Sequence, residues 1–216
     1  MIKLIAFDFD GTLADSVDFC LDVYDRVFAE FMKENAPNRE EVYQAFGMNE
    51  PGVIRHFIGR FLPEAEERFY QLHRELHPSL CPEVFPGCRE LLDFIKELNV
   101  PMAIITGRAE TTCKISMEML DLEEYFIGFQ YGSPEKNDKS AQLRNLMQQY
   151  NLQNDEIIYI GDAVSDVQAS HNAQVKCLAA AWAKTARVDE LEKINPGLVF
   201  TSVKDMQRFL SENIAR

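Results

Sequence analysis

The chain has 216 residues, of which 46% are hydrophobic and 26% are charged. This composition is typical of a globular protein with a buried core, and the length predicts one or two domains. The formal net charge is −13 at pH 7, and no basic stripe occurs along the sequence. Both features argue against a nucleic-acid partner.

Three further features bear on where the protein resides. The sequence contains no run of about 18 apolar residues, so we predict no membrane span and no membrane partner. Residues 1–4 lead straight into an apolar segment, without the pattern of a signal peptide. The five cysteines are odd in number and include no CxxC pair, which indicates reduced thiols and predicts a cytoplasmic location.

The first part of the chain is predicted to be one strand followed only by helices. Residues 4–7 are an apolar run, which indicates a strand buried on both faces. Asp15 or Ser16 is a suitable N-cap for the helix that follows. Helical spacing of apolar residues, interrupted by Pro and Gly, predicts helices over 16–35, 39–46, 53–61 and 64–77, with a loop at 47–52.

Beyond a proline-containing connector at 81–87, strands and helices alternate. The patterns predict strands at 101–106, 126–129, 156–161, 175–181 and 197–200, and helices at 88–98, 110–120, 140–150, 166–172, 183–195 and 203–213. Such alternation predicts an α/β fold with a doubly wound parallel sheet. The helical block does not fit it, so we predict an all-α domain at 16–81 inserted into an α/β domain formed by 1–15 and 82–216.

Two aspartates, Asp8 and Asp10, follow the first predicted strand. If the strand conformation continues, residues two apart point the same way, so both carboxylates lie on one side. Gly11 then allows a sharp turn out of the sheet. Two close carboxylates repel, and a hard cation such as Mg²⁺ relieves that repulsion. The simpler alternative is that the aspartates only end the strand and open a loop.

Other polar residues also follow predicted strands. Thr106 and Gly107 could bind phosphate oxygens at a helix N-terminus, although Thr106 could equally be a simple helix cap. Asp162 could complete a metal site with Asp8 or could equally be only the N-cap of the next helix, and Asp166 could touch the metal through water or orient the loop. Ligands of open α/β sheets bind at the carboxyl ends of the strands, so these separate segments are predicted to converge.

Several basic residues are candidates for smaller roles. Lys136 and Lys139 lie in one polar loop, and either could hold a phosphoryl oxygen; we favour Lys139 because it opens the next helix. Arg108 could be a phosphate ligand, but we expect it to be solvated. The histidine pair His73 and His77, four residues apart, is expected on a solvated helix face and is given no role.

The segment Asp8-Phe9-Asp10-Gly11-Thr12 resembles the first motif, DxDGT, of the haloacid dehalogenase-like hydrolases. Thr106 is similar to their second motif, and Gly161-Asp162 with Asp166 is similar to the fourth. The order and spacing agree along nearly the whole chain, and the inserted helices resemble the family's α-helical cap. The third motif departs from the commonest pattern, because neither candidate lysine precedes a proline.

The resemblance implies a Mg²⁺-dependent mechanism with defined roles. Asp8 would attack phosphorus and form an aspartyl-phosphate, and Asp10 would act as acid and then as base. Mg²⁺ would be bound by Asp8, the Asp10 backbone carbonyl and Asp162, with Asp166 nearby. Thr106 and Lys139 would stabilise the transferring group. The predicted phosphate-binding residues are Gly11, Thr12, Thr106, Gly107 and Lys139.

Within the family, the chain looks most like phosphoglycolate phosphatases, so its predicted partner is a small phosphorylated metabolite such as phosphoglycolate or a sugar phosphate. A β-phosphoglucomutase-like phosphomutase is the alternative, and a non-catalytic binding or regulatory protein is a further one. We expect specificity to reside in the cap and in residues 47–52, where Arg55, His56 and Arg60 are unranked candidates. A monomer or weak homodimer is expected.

Overall fold

The computed structural model describes residues 1–214, so the last two residues of the predicted α/β domain lie outside the described residues. Within that range the chain forms six β-strands and ten α-helices. The strands are β1 (Leu4–Phe7), β2 (Met102–Ile105), β3 (Phe126–Gln130), β4 (Ile157–Gly161), β5 (Lys176–Ala180) and β6 (Val199–Phe200). The helices are α1 (Val17–Met32), α2 (Arg39–Gln44), α3 (Glu50–Ile58), α4 (Pro63–Leu80), α5 (Cys88–Glu97), α6 (Glu110–Met119), α7 (Lys139–Tyr150), α8 (Val164–Ala173), α9 (Val188–Ile194) and α10 (Val203–Ile214).

The six strands form one parallel sheet in the order β3-β2-β1-β4-β5-β6. β1 is central, and Phe7 at its end pairs with Ile104 of β2 and Ile160 of β4. The carboxyl ends of these three strands therefore meet at one edge. This sheet, with the helical segment inserted after β1, confirms the predicted doubly wound α/β fold class.

Side chains of β1 alternate between two hydrophobic clusters, one on each face of the sheet. Ile5 and Phe7 face a large cluster that also includes side chains of α1, α4, α5 and α10, whereas Leu4 and Ala6 face a smaller one under α7, α8 and α9. Burial on both faces explains why the strand sequence is an uninterrupted apolar run. The inserted helices are α1–α4. Their apolar side chains belong to the larger cluster, so these helices pack against the sheet through a continuous apolar interior.

Between β1 and β2 all regular elements of the structure are helical, in agreement with the sequence pattern. The domain boundaries after residues 15 and 81 stay a prediction. Among residues 1–214, none of the helices combines the length and apolar character that crossing a bilayer requires. All five cysteines are buried and unpaired, as the sequence indicates: Cys20, Cys81, Cys88, Cys113 and Cys177.

Several predicted element bounds were wrong: the helix ends predicted at 35, 61 and 77 lie at 32, 58 and 80, and two helix starts also differ. The loop predicted at residues 47–52 ends early, because α3 begins at Glu50: the Asn49 side chain accepts a hydrogen bond from the Gly52 N–H, and Pro51 fits the first helical turn. The helix predicted at 183–195 begins only at Val188, because residues 184–185 form a turn in which the Ala186 N–H donates to the Ala183 carbonyl.

We predict that Phe69→Ala will lower the free energy of unfolding by about 3–5 kcal/mol, the usual cost of removing a buried aromatic side chain. Phe69 in α4 is fully buried, and its ring centroid lies 4.6 Å from that of Tyr24 in α1. Urea denaturation followed by circular dichroism would measure the change. The matched control is Phe61→Ala, whose side chain is 64% exposed and whose loss is expected to cost under about 0.5 kcal/mol. Equal losses for the two variants would contradict this packing.

Candidate active site

Four carboxylates meet at the carboxyl edge of the sheet. Asp8 and Asp10 follow β1, and Asp162 and Asp166 follow β4, its neighbour in the sheet. One carboxylate oxygen from each of Asp8, Asp162 and Asp166 lies within 4.8 Å of the others. The convergence expected from parallel-strand topology is therefore present in the structure.

Lys139, the first residue of α7, lies between two of these acids. Its Nζ donates to Asp8 Oδ2 at 2.7 Å and to Asp166 Oδ1 at 2.6 Å. Lys136, the other candidate from the same loop, is exposed. Burial and the two carboxylates act in opposite directions on the Lys139 ammonium, and the carboxylates prevail and raise its pKa. The structure thus brings Lys139, and not Lys136, into contact with Asp8.

Asp166 is fully buried, and both of its carboxylate oxygens accept hydrogen bonds. Besides the Lys139 ammonium, it accepts hydrogen bonds from the Tyr159 hydroxyl at 3.2 Å and from the Ala163 N–H at 2.9 Å. The Ala163 contact caps the N-terminus of α8, where a carboxylate is favourable. Both oxygens of Asp166 therefore have protein partners, so of the two roles left open by the sequence the contacts favour orientation of Lys139 and the loop.

Asp8 and Asp162 are the two carboxyl groups of the cluster whose pKa values are raised by their surroundings. Burial, together with the negative charge of Asp166, raises the pKa of Asp8 to about 7, although Lys139 opposes the shift. Burial and the charges of Asp166 and Asp8 raise the pKa of Asp162 well above its usual range. Carboxylates that resist ionisation in the protein alone are stabilised when a cation binds beside them, and oxygen donors suit Mg²⁺. The donor set therefore fits a divalent metal.

Gly11 and Thr12 shape the wall beside Asp162. Gly11 has φ of 75°, and a Cβ atom there would overlap the Asp162 carboxylate, so the turn requires glycine on both counts. The fully buried Thr12 hydroxyl donates to Asp162 Oδ1 at 3.2 Å. These two residues, predicted to bind phosphate, lie in the structure against the third carboxylate of the cluster.

Thr106 and Gly107 follow β2 as predicted. Thr106 is fully buried, and its hydroxyl oxygen accepts a hydrogen bond from the Arg108 N–H at 3.2 Å. The Gly107 carbonyl accepts a hydrogen bond from the Asn137 side chain at 3.2 Å. These contacts fix the turn between β2 and α6 at the same edge as Asp8.

Asp10 is bound by Arg108, whose predicted solvation was wrong. Arg108 is only 3% exposed, and its Nη2 donates to Asp10 Oδ1 at 2.6 Å and its Nε to Asp10 Oδ2 at 2.9 Å. The hydroxyl of Ser16, expected as a helix cap, instead donates to Asp10 Oδ1 at 2.5 Å. Burial alone would raise the pKa of Asp10, but Arg108 outweighs it and lowers that pKa.

His73 and His77 are likewise not on a solvated face. Both are buried, and the Nε2 atom of each lies 3.0–3.1 Å from the Ser116 hydroxyl of α6. Burial, reinforced by the positive charge of Arg108, lowers the pKa of His77 to about 4 and that of His73 well below its usual range. α4 reads as polar because it is rich in Glu and Arg, so only the packing against α6 reveals that this face is buried.

Glu50 was also missed by the sequence interpretation. This carboxylate at the start of α3 is 5% exposed, and it accepts hydrogen bonds from the Ala109 N–H at 2.6 Å and the Thr112 hydroxyl at 2.5 Å. It therefore caps α6, an element of the sheet domain, from within the inserted helices. The adjacent Asn49 binds the Gly132 carbonyl through its side chain at 3.0 Å. Neither contact leaves a local sequence signal, because both join distant segments.

Comparison with known proteins agrees with this geometry. A model of the haloacid dehalogenase-like hydrolase family matches residues 5–180. The chain belongs to the haloacid dehalogenase-like hydrolase family. The phosphoglycolate phosphatase of Pseudomonas syringae pv. tomato is 29% identical over 220 residues, which cover 96% of this chain and 78% of the relative.

Two solved structures share the fold of this family member. A predicted phosphoglycolate phosphatase from Haemophilus somnus superposes with a TM-score of 0.78 at 17% identity, covering 96% of this chain and 97% of the other. CbbY from Rhodobacter sphaeroides, in complex with xylulose-1,5-bisphosphate, gives a TM-score of 0.79 at 16% identity, covering 94% and 95%. Together with the family match, the comparisons confirm the predicted enzyme class, a phosphoric monoester hydrolase of this family.

We predict that the stability of the protein will fall between pH 6.5 and pH 4 partly because of His77. Its pKa is lower in the folded state than in the unfolded chain, so in this window the unfolded state binds more protons and acidification favours unfolding. Urea denaturation at pH 7 and pH 4.5 would show that His77→Gln reduces the loss by roughly 2 kcal/mol. The control is His171→Gln, at an exposed position. Parallel pH dependences for wild type and His77→Gln would refute the assignment.

Proposed function

We propose that the protein is a Mg²⁺-dependent phosphatase that hydrolyses a small phosphomonoester, of the phosphoglycolate or sugar-phosphate kind, through an aspartyl-phosphate on Asp8. The observation that carries the proposal is the placement of Asp8 beside Lys139 and within the carboxylate cluster, at the carboxyl edge of the sheet. The family match and the phosphoglycolate phosphatase relatives support the reaction class.

Asp8 is the proposed nucleophile. Its Oδ1 accepts the Phe9 N–H at 2.8 Å and its Oδ2 accepts the Lys139 ammonium, so the carboxylate is fixed at both oxygens. Attack on phosphorus forms the Asp8–phosphate bond and releases the alcohol. Lys139 and the turn at Thr106 and Gly107 stabilise the negative charge on the transferring phosphoryl group.

Asp10 is the proposed acid–base group. It donates a proton to the leaving oxygen in the first step, and it accepts a proton from the water that hydrolyses the Asp8–phosphate in the second. Asp8, the Asp10 backbone carbonyl and Asp162 would hold the Mg²⁺. When bound, the metal supplies positive charge that offsets the repulsion between the nucleophilic carboxylate and the phosphate.

The remaining predictions are proposed in the same terms. The inserted helices are the cap that encloses the substrate, and the location is cytoplasmic.

A phosphomutase would share the nucleophile and the acid–base group but return the phosphoryl group to a sugar. The likeness to CbbY, at 16% identity, supports the fold alone. Hydrolysis is therefore the proposal, and phosphate release distinguishes the two.

We predict that phosphate release from small phosphomonoesters requires Mg²⁺ and that Asp8→Asn reduces it by at least about 10⁴-fold, because an amide is not a competent nucleophile. Phosphoglycolate and a panel of sugar phosphates would be tested by a colorimetric phosphate assay, with and without EDTA. The control is Asp189→Asn, at an exposed position of α9.

A metal readout independent of activity accompanies this assay. Saturating Mg²⁺ at about 100 times its Kd should stabilise the wild-type protein by about 2.7 kcal/mol. Thermal denaturation should show that shift in wild type and its loss in Asp162→Asn, which removes a carboxylate of the cluster. Equal phosphate release by wild type and Asp8→Asn would overturn the proposed nucleophile, and an unshifted wild-type midpoint would overturn the metal site.

The two candidate lysines give a second matched pair of variants. We predict that Lys139→Met lowers kcat by about 100-fold or more, because the ammonium that contacts Asp8 is lost, whereas Lys136→Met changes it by less than about three-fold. Steady-state kinetics on the best ester would measure both. A larger loss in Lys136→Met than in Lys139→Met would reverse the assignment.

A further inference from the structure

Arg108 is a buried cation with a partner for each of its five N–H groups. Nε and one Nη2 hydrogen point to Asp10, and the second Nη2 hydrogen faces Cys20 Sγ at 3.5 Å. Nη1 donates to Ser116 Oγ at 2.7 Å and lies 3.2 Å from His73 Nε2. The guanidinium also stacks 4.6 Å from the centre of the Phe9 ring. The side chain is therefore fixed in one orientation.

Ser116 connects Arg108 to the inserted helices. Its hydroxyl oxygen accepts from Arg108, and the Nε2 atoms of His73 and His77 of α4 both lie within hydrogen-bond distance of that oxygen. Because Arg108 only donates, His73 Nε2 must accept from it, which places the His73 proton on Nδ1. The Nδ1 atoms of both histidines are buried and have no hydrogen-bond partner among the described residues. The His73 ring is therefore neutral, and both rings lie behind the guanidinium on Ser116.

Burying Arg108 and the two histidines in this way stabilises the fold less than apolar side chains would. A buried ion pair contributes little net stability compared with apolar side chains of the same volume, and unpartnered ring nitrogens add a further cost. Arrangements of this kind are retained at sites where a side chain must be held in a defined geometry. Here the side chain that is held, Asp10, is the proposed acid–base group.

The contacts on Asp10 are unequal. Oδ1 accepts from Arg108 Nη2, from Arg108 Nε at 3.1 Å and from the Ser16 hydroxyl, whereas Oδ2 accepts only from Arg108 Nε. Oδ1 is therefore the anchored oxygen, and Oδ2 keeps a lone-pair position that can carry the proton given to the leaving oxygen and later taken from water. Asp10 is 27% exposed at its side chain while Arg108 is 3% exposed, so substrate can reach the acid and not the guanidinium.

We propose that Arg108, held from behind by Ser116, His73 and His77, is a positioning residue that orients Asp10 toward the leaving oxygen of the substrate. The inference rests on the proposed function, since it assigns a partner to the acid–base group. It makes α4 of the inserted helices a part of the support for that group, in addition to any contact the cap makes with substrate.

The test uses two esters that differ in their need for an acid. An alkyl phosphate such as phosphoglycolate releases an alkoxide oxygen that must be protonated, whereas p-nitrophenyl phosphate releases a stable phenolate. The parameter kcat/KM reports only the steps through formation of the Asp8–phosphate, so the later hydrolysis does not obscure the comparison. We expect Arg108→Gln to lower kcat/KM for the alkyl ester by about 100-fold more than for the aryl ester, within the range of general acid–base catalysis.

Smaller changes keep the test informative if Arg108→Gln does not fold. Ser116→Ala removes only the oxygen behind Arg108, and we expect it to lower the alkyl-to-aryl ratio of kcat/KM by roughly 3- to 10-fold. Arg108→Lys should recover only part of the ratio, because an ammonium cannot make the paired contact. The control is Arg74→Gln, an exposed arginine that also joins α4 to α6, through Glu118 at 3.0 Å, and should leave the ratio unchanged.

The outcomes separate the inference from the proposed function. A ratio unchanged in both Arg108→Gln and Ser116→Ala, in protein that still hydrolyses both esters, overturns the positioning role and leaves the phosphatase intact. Equal losses on the two esters do the same, because they indicate a structural effect. A wild-type protein that releases phosphate from neither ester overturns the proposed function, and the inference falls with it.

Discussion

The site depends on the crowding of four carboxylates at one edge of a parallel sheet. Asp8, Asp10, Asp162 and Asp166 are brought together because β1 and β4 are neighbours that end at the same level. Among residues 1–214, two cations, Lys139 and Arg108, form ion pairs with them. Four negative and two positive charges leave an excess of two, which one divalent cation would neutralise. The raised pKa values of Asp8 and Asp162 express the same imbalance, since these are the two acids with the least compensation.

The two cations divide the carboxylates into pairs with different chemistry. Lys139 pairs with Asp8 and Asp166, and it leaves Asp8 with a raised pKa because burial outweighs it. Arg108 pairs with Asp10 and lowers the pKa of that carboxyl. Two aspartates separated by one residue thus have opposite shifts. The proposed roles require the opposite protonation, an ionised Asp8 and a protonated Asp10, and a cation beside Asp8 would lower its pKa. The chain's overall charge of −13 does not decide this chemistry, because contacts at 2.6–2.7 Å dominate locally.

The sequence predicted the parts of this arrangement that are encoded locally. The strands β1 and β4 are apolar runs because both of their faces are buried, and the acids follow them directly, so Asp8, Asp10, Asp162 and Asp166 could be found from pattern alone. Lys139 was favoured because it opens α7. Arg108, His73, His77 and Glu50 could not be found this way. Each is a polar residue on a polar-looking segment, and each is buried only because a partner from a distant segment meets it.

These missed residues share a location, the contact between the inserted helices and α6. Glu50 caps α6 from the start of α3, and His73 and His77 reach Ser116 of α6 from α4. An apolar interface would hold the inserted helices against α6 without fixing the orientation of Asp10. Directional hydrogen bonds that end on the Asp10–Arg108 pair are satisfied only when α4 and α6 are in register. The packing of α4 against α6 and the orientation of the Asp10 carboxylate are therefore linked in this chain, through Ser116 and Arg108.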